Sequence, residues 1–133
     1  MTGPIDKLAW LHIKDRKVLV ARSRGKTLFY LPGGKRDTGE TDTEALTREI
    51  REELGVALDT NSLRLANIFT AQADAKPPGT MVRIAAYFAG YDGVLSAASE
   101  IEEIDWADSR DAPRCSITGR LVLVWLKDQG LID

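Results

Sequence analysis

The 133-residue sequence has one cysteine, Cys115, and one histidine, His12. A lone cysteine excludes an internal disulfide, and one cysteine with one histidine disfavours a zinc site. Long apolar runs are also missing. Even a run as long as Leu121 to Leu126 falls far short of the about 20 residues that cross a bilayer, so no membrane association is expected. Met1 to Lys7 lacks the basic start, apolar core and cleavage site of an export signal, which leaves a reducing cytoplasm as the expected compartment. Nor is there an excess of positive charge. Eighteen basic residues against 20 acidic ones give a net charge of −2, which argues against binding along a polymeric nucleic-acid backbone. Two familiar phosphate-binding glycine loops are absent as well. Phe29 stands where a Walker loop needs its first glycine, Arg36 stands where it needs Ser or Thr, and no G-x-G-x-x-G occurs.

With 44% hydrophobic and 29% charged residues, the composition is that of a soluble globular protein, and a chain of this length buries about two-thirds of its unfolded surface around one core. We therefore expect a single domain over residues 1–133. Its glutamates are placed unevenly: all eight lie in two stretches, five from Glu40 to Glu53 and three from Glu100 to Glu103, whereas the twelve aspartates are scattered.

Leu8 to Ile13 and Lys17 to Ala21, joined by Asp15-Arg16, read as a hairpin of two strands. Thr27 to Leu31 is a further short strand that Pro32-Gly33-Gly34 brings to an end. Thr41-Asp42-Thr43-Glu44 matches a capping box and Gly55 a C-cap, which predicts a helix over Thr41 to Leu54 with Leu46, Ile50 and Leu54 as its apolar stripe. Leu63 to Thr70 and Met81 to Tyr91 read as strands around a long loop, Ala71 to Gly79, and Ile104 and Trp106 mark one more. Ser116 to Gln129 reads as a closing helix between the caps Ser116 and Gly130.

The first helix carries Glu49, Glu52 and Glu53 at spacings of three and four, which gather carboxylates along one side. Like charges at these spacings oppose the helix, as do carboxylates near its C-terminus. A solvated face laced with ion pairs, Glu44 to Arg48 and Arg48 to Glu52, is one account of them. The other is chemical. Glutamate oxygens beside a glycine loop are hard ligands suited to Mg²⁺ or Mn²⁺, and Mg²⁺ commonly binds a few carboxylates together with substrate phosphates.

Gly34, five residues, Glu40, seven residues, then Arg48-Glu49-Ile50-Arg51-Glu52-Glu53-Leu54-Gly55-Val56 resembles the Nudix box, G-x5-E-x7-R-E-U-x-E-E-x-G-U with U aliphatic. All nine specified positions match, and Leu31-Pro32-Gly33-Gly34-Lys35 leads in as the family does. The resemblance implies an α/β/α sandwich, a mixed sheet with the box helix on one side and the C-terminal helix on the other. It also implies a phosphoanhydride hydrolase that uses Mg²⁺ or Mn²⁺ on a nucleoside diphosphate linked to another group, or on a nucleoside di- or triphosphate.

Carried over by position, Glu52 and Glu53 are the principal metal ligands, and Glu49 is either a ligand or the base that activates water. The Gly33 carbonyl is a further ligand, and Glu40 and Arg48 form a structural pair inside the box with Gly34 and Gly55. Lys35 faces either the phosphates or a carboxylate. Some members add a carboxylate before the last strand, for which Glu100 is the candidate and Glu103 the second. Arg22, leaving the second strand toward the glycine loop, is a phosphate contact or a solvated surface charge. His12 and Cys115 read as structural.

A Nudix-fold module that binds a nucleotide without turnover stands as the alternative, although the box glutamates are all kept. Markers beyond the box that some members carry for ADP-ribose, dinucleoside polyphosphates or NADH are absent, with Gln72 and Asp74 at the first two positions. Small nucleoside triphosphates are the preferred substrates by elimination. The expected partner is a small nucleotide, and a homodimer is left open.

Overall fold

The computed structural model describes residues 3–133; Met1 and Thr2, which open the segment read for an export signal, lie outside it. Strand β1 (Ile5–Leu11) sends Leu8 and Trp10 to one face of a sheet and Ala9 and Leu11 to the other, following the two-residue period of a strand. All four side chains are buried, so both faces must be covered. The cover comes from two helices. On the Leu8 and Trp10 face lie Ala45, Leu46, Ile50 and Leu54 of α1 (Asp42–Leu54). On the Ala9 and Leu11 face lie Val122, Leu123 and Leu126 of α2 (Ile117–Asp128).

The central sheet is mixed. β1 pairs antiparallel with β4 (Gly33–Lys35) on one side and parallel with β7 (Met81–Phe88) on the other, and β7 pairs antiparallel with β6 (Arg64–Gln72). A three-stranded antiparallel sheet joins β2 (Ile13–Lys14), β3 (Lys17–Ser23) and β9 (Ile101–Ala107), and β5 (Ala57–Leu58) pairs with β8 (Tyr91–Asp92). This is the α/β/α sandwich that the resemblance implies.

α1 is closed at both ends as its sequence predicts. The Thr41 hydroxyl accepts from the Glu44 amide at 3.1 Å, the Glu44 carboxylate accepts from the Thr41 amide at 3.0 Å, and Gly55 caps the far end at φ 70°. Glu44 is therefore spent on the cap and makes no ion pair with Arg48, contrary to the four-residue pairing expected from spacing. α2 likewise starts at the Ser116 cap, whose hydroxyl accepts from the Gly119 amide at 3.1 Å.

Three strand expectations are corrected. The first hairpin is shorter than the apolar runs suggest. The turn at Asp15 and Arg16, both at positive φ, joins only β2 to β3, while β1 belongs to the other sheet. The segment before the glycines makes only isolated bridges, Tyr30 to Ala21 and Phe29 to Cys115, and the regular strand is Gly33–Lys35 itself. Gly33 permits this because a Cβ there would lie 2.0 Å from the Leu8 carbonyl oxygen, and its φ of 145° suits no other residue. Finally, β7 ends at Phe88, and Tyr91 turns away to pair with β5.

Candidate active site

A cavity of about 710 Å³ opens between the central sheet and the N-terminal half of α2. Lys7, Ala9 and Ile84 come from the sheet, Ser116, Thr118 and Val122 from α2, and Asp74 and Ala75 from the loop after β6. Gly33 and Gly34 lie along its edge, together with Glu49 and Glu53 from α1 and Glu100, the residue just before β9.

Glu53 is the most enclosed of these carboxylates, with 3% of its surface exposed. Its Oε1 accepts from the Gly33 amide at 2.9 Å, which ties the helix to the edge strand. Burial pushes its pKa up to about 8, against the pull of that amide, and the charges of Glu49, Glu100 and Glu52 push the same way. Burial also raises Glu49, against the opposing effect of Arg48. Glu100 lies on the other side of its ordinary value, lowered first by the Ser99 hydroxyl at 2.7 Å. Tyr30, which shares the cavity, is pushed to about 12 by burial while its hydroxyl meets that of Ser23 at 2.6 Å.

Arg48 organises the approach to this edge. Its Nε and Nη2 grip the two Glu40 oxygens at 2.8 and 2.9 Å, its Nη1 reaches Glu49 at 3.0 Å, and Nη2 also donates to the Lys35 carbonyl at 3.2 Å. A planar guanidinium is suited to such bidentate work. Arg36 fastens the same loop from outside, pairing with Asp6 at 3.1 Å and Asp42 at 2.5 Å and donating to the Glu40 carbonyl.

The residues singled out from sequence do not all arrive together. Glu49 and Glu53, four apart, both face the cavity, and Glu100 joins them from a distant part of the chain. Glu52 does not. At about 100° per residue it sits well around the helix from Glu53, and its half-exposed carboxylate lies 3.6 Å from Arg48. Glu103 is likewise elsewhere, 3.1 Å from Arg22, which also binds Glu102 at 3.1 Å and the Lys26 carbonyl at 2.9 Å. Arg22 is thus absorbed in surface pairs and does not line the cavity, because β9 brings two glutamates beside it. Gly34 and Lys35 do line it, and Gly55 serves as the α1 cap. Lys7, Tyr30 and Asp74 enter the site without any sequence motif to mark them. A lysine interrupting an otherwise apolar strand face was the one available sign.

Among the described residues, no three His, Cys, Asp or Glu side chains stand close enough together to hold an ion. The donor set still fits a divalent cation of the Mg²⁺ or Mn²⁺ kind. Three carboxylates and a glycine backbone border one edge, with no soft ligand among the residues lining the cavity.

Comparison with known proteins agrees with this architecture. The family model described as the NUDIX domain matches residues 8–123. An ADP-ribose pyrophosphatase of Methanocaldococcus jannaschii is 32% identical over 104 residues, 76% of this chain, which spans 60% of that relative's length. The crystal structure of a MutT NUDIX hydrolase from Burkholderia pseudomallei superposes with a TM-score of 0.77 at 25% identity, covering 92% of this chain and 98% of that one. A UDP-X diphosphatase structure shares the fold, with a TM-score of 0.78 at 22% identity over 98% of this chain and 65% of its own. A complete box on the helix that borders the cavity, and a family model spanning most of the chain, make this protein a member of the Nudix hydrolase family.

Proposed function

We propose that the chain is a single-domain pyrophosphohydrolase, dependent on Mg²⁺ or Mn²⁺, that cleaves a phosphoanhydride in a nucleoside di- or triphosphate or in a nucleoside diphosphate linked to another group. The observation that carries this reading is that Glu49, Glu53 and Glu100 all line one cavity large enough for a nucleotide. Glu53 with Glu49, Glu100 and the Gly33 carbonyl would hold the ion, and Glu52, the residue before Glu53 on the helix, is the other principal ligand that the family pattern implies. When bound, such an ion neutralises charge on the phosphoryl oxygens and acidifies water.

The chain's own residues supply the remainder. Water attacks one phosphorus, the bond to the bridging oxygen breaks, and the proton of the water passes to a carboxylate of the cavity edge. Arg48 holds Glu49 in place for this while gripping Glu40, so that loop and helix move as one. The relative named ADP-ribose pyrophosphatase adds that compound to the substrates worth assaying beside nucleoside triphosphates.

Glu53→Gln tests the reading with a panel of nucleoside triphosphates, ADP-ribose and nucleotide sugars in Mg²⁺ or Mn²⁺. Release of phosphate, pyrophosphate or nucleoside monophosphate falls about a hundredfold or more while circular dichroism is unchanged. Turnover at the parent rate would remove Glu53 from the mechanism. Nucleotide binding without turnover in the parent would leave a sensing module.

A further inference from the structure

We propose that Tyr30 is a further catalytic residue, whose hydroxyl, backed by Ser23, orients the water that attacks the phosphoanhydride. The reaction itself rests on the hydrolase reading, whereas the placement of the hydroxyl rests on the geometry. Tyr30 is bound to β3 by two backbone hydrogen bonds with Ala21, at 2.8 and 2.9 Å. Residues opposite one another share a face, and the residue two further along shares it within reach of a long side chain. Ser23 is that residue, and its hydroxyl meets the Tyr30 hydroxyl at 2.6 Å. The register of β3 with β9 shifts between Arg22 and Ser23, an irregularity of the kind that re-aims side chains beside active sites. One position on, the Arg24 amide donates to the Glu100 carbonyl at 2.8 Å. The end of β3 thus fixes the phenol and Glu100 together.

Packing does not account for this tyrosine. It belongs to neither apolar cluster, whereas Tyr87 and Tyr91 both pack against one. It lines the cavity with Glu49, Glu53 and Glu100 instead. Burial first, and then the charges of Glu53, Glu100 and Glu49, keep its proton in place against the pull of the Ser23 hydroxyl. With that proton donated to Ser23, the phenol oxygen is free to accept a hydrogen bond from the cavity.

Water has two protons, and its lone pair is aimed at phosphorus only when both are directed elsewhere. A carboxylate of the acidic edge takes one as the new oxygen–phosphorus bond forms and the bridging oxygen leaves with its electron pair. The Tyr30 oxygen accepts a hydrogen bond from the other, which stays on the new oxygen.

Tyr30→Phe and Ser23→Ala test this with the same nucleotide panel in Mg²⁺, in water and in water containing methanol. Methanol has one such proton, so a residue that holds the second proton favours water over methanol. Tyr30→Phe loses about tenfold or more in kcat with KM nearly unchanged. The share of methyl ester among its products rises about threefold or more above that of the parent, and Ser23→Ala moves both quantities the same way by less. A lost packing contact would not move the product ratio. A parent-like kcat in Tyr30→Phe, or a parent-like share of methyl ester, overturns the proposal and leaves the hydrolase reading standing. Should Tyr30→Phe fail to fold by circular dichroism, the ester share of Ser23→Ala decides in its place. A parent that turns over no nucleotide overturns both readings.

Discussion

Adjacent glycines in the edge strand do different work, and single substitutions separate them. A Cβ at Gly33 meets backbone, 2.0 Å from the Leu8 oxygen, in a conformation that side chains disfavour. Gly33→Ala consequently costs about 3 kcal/mol in chemical denaturation, because β1 and β4 must part. A Cβ at Gly34 meets the end of a side chain, 2.6 Å from the Glu49 carboxyl carbon. Gly34→Ala therefore folds nearly as stably as the parent but displaces Glu49, and steady-state assays record about tenfold or greater loss of kcat. Glu40 gives a pH signature of another kind. Arg48, then the Asp37 amide, lowers its pKa from 4.5 to about 2 in the folded protein. A group more acidic when folded contributes fully above its unfolded value, and that contribution disappears as pH falls from about 4.5 toward 2. Melting temperatures recorded across that range fall less steeply for Glu40→Gln than for the parent.

At the level of elements, the loop between β6 and β7 is held in two ways. The Gln72 side chain donates to the Pro77 carbonyl at 2.9 Å and accepts from the Gly79 amide at 2.8 Å, which shapes the loop from within. Asp74 fastens it to α2 by accepting the Ile117 amide, one of the donors that a helix start leaves unmatched. Asp74→Ala is expected to cost about 1 kcal/mol and to speed hydrogen exchange at the Ile117 amide, leaving the α1 amides protected. These elements also show what could be read in advance. α1 was legible because its cap, stripe and closing glycine are local signals within about one helix length. β4 was not, since glycines that read as a break become a strand only when β1 lies alongside. Spacing alone likewise does not tell that Glu49 and Glu53 line the cavity while the Glu52 carboxylate lies toward Arg48. Lys7, Tyr30 and Asp74 reach the cavity through pairings and loop closures that no short stretch of chain encodes.

Across the whole molecule, two apolar clusters lie on opposite faces of the central sheet with β1 and β7 as their common wall, and β3 of the three-stranded sheet contributes to both. Leu46 under α1 and Leu123 under α2 are both fully buried. Leu46→Ala and Leu123→Ala should each destabilise by about 2 to 5 kcal/mol, and each variant should still melt in a single transition because neither cluster keeps its wall without the other. Separate transitions for the two faces would show that the layers fold independently. The parallel pairing of β1 with β7, from Ile5 opposite Val82 to Leu11 opposite Phe88, also sets a timetable. The strand that carries Lys7 is synthesised first, and its longest partner follows only after the box helix and β6 have been made. The cavity wall is thus completed only once β7 has been made, and until then the apolar half of β1, Leu8 to Leu11, stands open to whatever chaperone meets it first.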